Sequence, residues 1–142
     1  MSRHFKRCLI TGITGSGGSY LADHIISKNL KTKIYGFYRS KGYLELLKKN
    51  HKNKINFLKV DLTNYKNTLN GLKKSKPDLI FHFASNADVR GSFDYPLEIV
   101  KNNNIITANL LEALRKLNLK PLIIICSTSE VYGNVKKKQM PI

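Results

Sequence analysis

Cysteine is scarce in this sequence: Cys8 and Cys126 are the only two in 142 residues, and each sits inside an apolar run. Two distant cysteines make no disulfide framework of the kind that staples small secreted domains. They read as buried strand residues in a reducing compartment. Long hydrophobic runs are absent as well. After the basic segment Met1–Arg7 the apolar stretch is only Cys8-Leu9-Ile10 before Thr11-Gly12, too short for the core of a secretory signal peptide, and no run approaches the length of a membrane span. The cytoplasm is the expected location, and no membrane partner is expected.

Acids are few. Nine Asp and Glu against 25 Lys and Arg leave a formal net charge of +16. Such an excess suits a polyanion partner. The cations are mostly lysine, however, are scattered through every segment, and form a run of three only at Lys136-Lys137-Lys138. No basic stripe interleaved with aromatics accompanies them. The excess therefore reads as a solvated lysine surface, and nucleic acid is not an expected partner. Internal repeats, low-complexity tracts and interdomain linkers are also missing, and no metal site is assigned.

What is present is an ordinary globular balance of 42% apolar and 24% charged residues. A chain of this length buries roughly two-thirds of its unfolded surface, enough for one core without a separate second lobe. Residues 1–142 are accordingly read as one domain. Short apolar runs alternate with longer amphipathic stretches. Strands are expected at Cys8–Thr11, Lys33–Tyr38, Ile55–Val60, Leu79–Phe83 and Pro121–Cys126, and helices at Ser19–Asn29, Gly42–Asn50, from Thr63 as cap to about Ser75, and Pro96–Leu117. This alternation predicts βαβ units, right-handed crossovers and a doubly wound parallel sheet of the Rossmann-like α/β class, ending after about five strands. On the long helix, Val100, Thr107, Leu110, Leu111, Leu114 and Leu117 define the expected inward face. Asn103 falls on the same face, either as a polar residue near the helix start or as a structural amide supporting a site at the strand ends.

Four segments carry chemistry. Thr11-Gly12-Ile13-Thr14-Gly15-Ser16-Gly17-Gly18 follows the first strand and opens the first helix. Glycines at 12, 15 and 18 permit a tight turn, close approach of a pyrophosphate and close helix–strand packing, and the helix N-terminus offers unpaired N–H groups to phosphates. Gly12, Thr14, Gly15, Ser16, Gly17 and Gly18 are thus candidate cofactor contacts. At the end of the second strand, Arg39 and Ser40 stand where an NAD site places an acid, and no acid occurs between Asp23 and Glu45. That substitution predicts NADP, with the cation on the 2′-phosphate. Asp61-Leu62 follows the third strand, where a carboxylate either receives the adenine amino group or simply begins a helix. Phe83-Ala84-Ser85 follows the fourth, where small residues let the backbone pass close to the cofactor. Last, Thr128 and Glu130 lie two apart in Cys126-Ser127-Thr128-Ser129-Glu130-Val131-Tyr132-Gly133 at the end of the fifth strand. On an extended backbone they project to one side, a hydroxyl beside a carboxylate able to orient and deprotonate a carbon acid; turn chemistry is the plainer reading.

With these pieces in order, the sequence resembles the extended short-chain dehydrogenase/reductase family, and within it most of all the GDP-mannose 4,6-dehydratases. The resemblance rests on ITGITGSGGSYLADHI (residues 10–25), YRS (38–40), VDLTN (60–64), ASNADVRGSF (84–93), ANLLEALR (108–115) and STSEVYG (127–133). It implies a nucleotide-sugar substrate, GDP-mannose, and a homo-oligomer. It also implies that NADP takes hydride from sugar C4, that Glu130 removes the C5 proton and assists loss of water from C6, and that the hydride returns to C6. Thr128 would hydrogen-bond the C4 oxygen. The family's usual Gln-Ser-His after the fourth strand is Asn86-Ala87-Asp88 here. Its Tyr-x-x-x-Lys pair would fall beyond Ile142; Tyr132 and Lys136 have the spacing by chance, inside the STSEVYG segment. The resemblance therefore implies the N-terminal, cofactor-binding part of a dehydratase, inactive by itself.

Overall fold

The computed structural model describes residues 4–28, 31–40 and 49–140, with the backbone but not the side chains of Lys49, Asn50, Ser129 and Glu130. The elements run β1 (Arg7–Thr11), α1 (Ser16–Ser27), β2 (Lys33–Tyr38), α2 (Lys49–Lys52), β3 (Ile55–Lys59), α3 (Tyr65–Ser75), β4 (Leu79–His82), α4 (Gly91–Asp94), α5 (Pro96–Lys116) and β5 (Leu122–Ile125), followed by two 3-10 turns, Ser129–Tyr132 and Lys137–Gln139. The helix expected over Gly42–Asn50 lies almost wholly outside the described residues. All strand pairs are parallel, in the order β3-β2-β1-β4-β5, so the direction of winding reverses between β1 and β4. This is a doubly wound, Rossmann-like sheet.

Both sheet faces are covered at the centre, which explains why the central strands read as unbroken apolar runs. Along β1, Cys8 and Ile10 join Ile13, Ala22, Ile25, Ile34 and Ile55 beneath α1, whereas Leu9 joins Phe37, Leu72, Ile80, Leu110 and Leu114 beneath α3 and α5. The edge strand β5 differs. Leu122, Ile124 and Ile125 are exposed, and so is Cys126 just beyond them. The expectation that both cysteines are buried thus holds for Cys8 alone: Ile123 of β5 packs against the cluster beneath α3 and α5, whereas Leu122 and Ile124 on the other face stay exposed, and apolar composition by itself does not separate an edge strand from a central one.

Two further expectations are corrected. The helix after β3 is capped by Asn64, not Thr63; Asn64 Oδ1 accepts from the Asn67 N–H at 3.0 Å. On α5 the buried face consists of Ile99, Ile106, Asn109, Leu110, Ala113 and Leu114, whereas Val100 and Leu111 are 54% and 45% exposed. The helix is rotated because a polar residue takes an inward position: Asn109 Nδ2 donates to the carbonyls of Leu62 at 2.8 Å and Thr63 at 3.0 Å, past the end of β3.

Candidate functional site

The site starts from the turn after β1. Gly12 has φ +68°, a left-handed conformation that glycine adopts without steric cost. The Gly15 N–H donates to the Gly12 carbonyl at 2.9 Å, closing the turn, and α1 begins with Gly15 at its cap, with no side chain bonded to its first N–H groups and no acid in its first turn. A Cβ on Gly12 would stand 2.8 Å from Ala84 N and 2.9 Å from Ala84 Cα, so the segment after β4 passes directly over this turn. A Cβ on Gly18 would meet Gly12 O at 2.5 Å and Ile13 Cα at 2.7 Å; Gly18 lets α1 pack onto the strand end.

Around this crossing lies a cleft of about 290 Å³ at the carboxyl ends of β1, β2, β3 and β4. Of the residues singled out from sequence, Gly12, Thr14, Gly15, Arg39, Ser40, Asp61, Leu62, Phe83, Ala84 and Ser85 line it together. Ser16 and Gly17 are exposed on the first turn of α1, and Gly18 is buried behind the turn; none of the three lines the cleft. Asp61 Oδ1 accepts from Thr63 Oγ1 at 2.7 Å and from the Thr63 N–H at 2.9 Å. These bonds, with the Arg39 guanidinium adding its field, hold the Asp61 carboxyl below its ordinary value of 3.8. The cleft therefore carries a fixed anion and a cation on its β2–β3 side, and mainly backbone and small groups on its β1–β4 side.

Sequence reasoning missed Asn102 and Ile106 as cleft-lining residues, together with Val60 and Thr63. The signal was available for α5, because Asn102 and Ile106 continue the helical spacing that ends in Asn109 and Ala113. Asn103 resolves in favour of the structural amide. Its Oδ1 accepts from the Asn86 N–H at 2.7 Å and its Nδ2 donates to the Asn86 carbonyl at 3.0 Å, clamping the segment after β4 from both sides.

Thr128 is exposed and does not line the cleft. The extended geometry expected for Thr128 and Glu130 does not occur: past β5 the Val131 N–H reaches back to the Thr128 carbonyl at 3.4 Å, and Ser129–Tyr132 wind into a 3-10 turn. Among the described residues no group of three or more His, Cys, Asp and Glu is disposed to hold a metal, and no helix is long and apolar enough to cross a membrane.

A doubly wound parallel sheet with its cleft where the winding reverses is the architecture of Rossmann-type α/β proteins. Within that class the chain belongs to the GDP-mannose 4,6 dehydratase family, which it matches over residues 9–141. It is 34% identical over 142 residues to GDP-mannose 4,6-dehydratase of Vibrio cholerae serotype O1, an alignment covering 93% of this chain and 38% of the relative. It is also 35% identical over 130 residues to UDP-N-acetyl-alpha-D-glucosaminuronate decarboxylase of Bacillus cytotoxicus, covering 90% and 38% of the two chains. Among solved structures, UDP-glucose 4-epimerase of Thermus thermophilus in complex with NAD superposes with a TM-score of 0.76 at 25% identity, over 92% of this chain and 40% of the other. The UDP-Glc/GlcNAc 4-epimerase of Campylobacter jejuni gives 0.79 at 26% identity, over 90% and 39%. The chain thus spans 38% of the length of each of these two curated relatives.

Proposed function

We propose that the cleft binds a nicotinamide cofactor, that this cofactor is NADP, and that the full-length protein is a nucleotide-sugar 4,6-dehydratase converting GDP-mannose to GDP-4-keto-6-deoxymannose. One observation carries the reading: the glycine turn, Arg39-Ser40 and Asp61-Leu62 line a single cleft at the switch point of the sheet. The residues present fit the cofactor. Gly12 and Gly15 line the cleft without side chains, leaving backbone open to a pyrophosphate, and the start of α1, which has no side-chain cap, offers it N–H groups. Arg39 and Ser40 would hold the ribose 2′-phosphate, Asp61 and Leu62 would meet the adenine, and Phe83-Ala84-Ser85 would run beneath the nicotinamide half. NAD in the Thermus epimerase supports a nicotinamide cofactor; the basic end of β2 supports the phosphorylated form.

When bound, the cofactor supplies a reversible hydride acceptor, so oxidation at sugar C4 and reduction at C6 leave it unchanged. Thr128 is assigned to the C4 oxygen, and Glu130 to the C5 proton and the departing water. The 142-residue chain by itself is proposed to bind NADP weakly without turnover, the sugar-binding lobe and the Tyr-x-x-x-Lys pair being contributed by the rest of the full-length protein. That protein is proposed to be a cytoplasmic homo-oligomer.

Calorimetric titration tests the cofactor reading. NADP⁺ should bind more tightly than NAD⁺, and Arg39→Ala should weaken NADP⁺ about tenfold while leaving NAD⁺ unchanged. Equal affinities in the wild type would sink the NADP assignment. For the full-length protein, incubation with GDP-mannose should give a product lighter by one water, and Glu130→Gln should abolish it. Interconversion of UDP-sugars without loss of water would instead favour the epimerase activity carried by the solved neighbours.

A further inference from the structure

His82, the last residue of β4, is 3% exposed and lies behind the cleft, outside its lining. Its Nδ1 is 2.7 Å from Thr11 Oγ1 and its Nε2 is 3.2 Å from Thr107 Oγ1. Both hydroxyls have second partners that fix where the protons lie. Thr107 Oγ1 donates to the Asn103 carbonyl at 3.1 Å, so its one proton is committed and it receives one from His82 Nε2. Thr11 Oγ1 accepts from the Ala84 N–H at 3.2 Å, and its own proton then goes to His82 Nδ1. The opposite tautomer would leave the hydroxyl proton of Thr11, a residue with no exposed surface, without an acceptor in this set of bonds.

We infer that His82 is a positioning residue: as the neutral Nε2–H tautomer it is the centre of a one-way hydrogen-bond relay, Ala84 N–H to Thr11 to His82 to Thr107 to the Asn103 carbonyl, that sets the height of the Ala84–Asn86 segment over the Gly12 turn. The relay and the Asn103 clamp grip this segment at its two ends. The amide of Ala84 is held from β1, and the backbone of Asn86 is held from α5, by the residue whose carbonyl ends the relay. A single turn of α5, Asn103–Thr107, thereby ties together the ends of β1 and β4 beside the cleft. Burial supports the neutral state by pushing the His82 pKa below its ordinary 6.5.

The test is a long-range proton–nitrogen NMR spectrum of the labelled 142-residue chain at neutral pH. His82 should show a protonated Nε2 and a bare Nδ1. Thr107→Val removes the acceptor at nearly constant volume; it should shift the Ala84 and Asn86 amide resonances and weaken nicotinamide cofactor binding about tenfold, with Thr107→Ser restoring both. An Nδ1–H tautomer, an imidazolium, or amides unmoved by Thr107→Val would overturn the relay. If Thr107→Val does not fold, the wild-type tautomer still decides. The binding arm alone rests on the proposed cofactor reading: a chain that binds no such cofactor, yet shows the tautomer and the amide shifts, would refute that reading and uphold the relay.

Discussion

Gly12 combines a backbone and a packing requirement at one position. Its φ of +68° is strained for any side chain, and the atoms a Cβ would meet are the backbone of Ala84, which cannot swing aside as a flexible side chain would. Gly12→Ala should therefore destabilise the domain by about 3 kcal/mol, from left-handed backbone strain plus overpacking. Urea denaturation midpoints would show it, and a loss near the small value usual at exposed sites would mean that the Ala84 segment yields easily. The two thiols make a second residue-scale contrast. Cys8 is fully buried on β1, and burial pushes its pKa up to about 12, whereas Cys126 is exposed beyond the edge strand. A thiolate-selective reagent at mildly alkaline pH should label one thiol per native chain and two per unfolded chain, and peptide mapping should place the native label on Cys126.

Among the elements, α5 reaches the site through amides rather than through its aliphatic stripe. Asn109 fixes the end of β3 by donating to two carbonyls, and Asn103 clamps the end of β4. Asn109→Leu leaves the Thr63 carbonyl without this donor and the Leu62 carbonyl with only the 3.4 Å bond from Thr68 Oγ1, so it should cost about 2 kcal/mol although leucine is the more hydrophobic residue. Thermal unfolding of the variant would show a lowered midpoint; a neutral or stabilising result would contradict the amide's role. The same residues show what the sequence can and cannot express. The strand positions and the glycine turn are readable because each follows from a local pattern: apolar runs of strand length, turn residues between them, and glycines at fixed spacing before a helix. The rotation of α5 is not, since the attraction of Asn109 to two carbonyls 46 and 47 residues away in the chain leaves no trace in helical periodicity. Thr63 and Asn64 are both residue types that cap helices, but Asn is the stronger of the two and Thr63 is already engaged with Asp61. The turn at Ser129–Tyr132 likewise escapes a reading that continues the strand period beyond the last residue of the sheet.

For the whole molecule, stability against pH is set from both sides by buried groups that fold in their neutral forms. His82 has its pKa lowered by burial from an ordinary 6.5, so below that value the unfolded chain binds a proton that the native chain refuses, and stability must fall as pH drops through 6.5. Asp61, held below 3.8 by Thr63 and then by Arg39, acts in the same direction further down: its contribution is present above 3.8 and is lost as pH falls through its lowered native value. Cys8 works at the other end. Its thiol ionises near 9.0 when unfolded and only near 12 when native, so above 9.0 the unfolded chain sheds a proton first and stability declines again. The net charge of +16 adds to the acid side, because each protonation enlarges a positive charge that already repels itself. Chemical denaturation across pH should therefore trace a plateau between about 7 and 9, bounded by the 6.5 and 9.0 of the unfolded His82 and Cys8. His82→Gln should flatten the upper part of the acid limb and Cys8→Ala the alkaline one, whatever each does to the height of the plateau. An acid limb that begins only near the carboxylate range in the wild type would show that His82 titrates alike in both states, and that its burial does not carry the cost assigned to it.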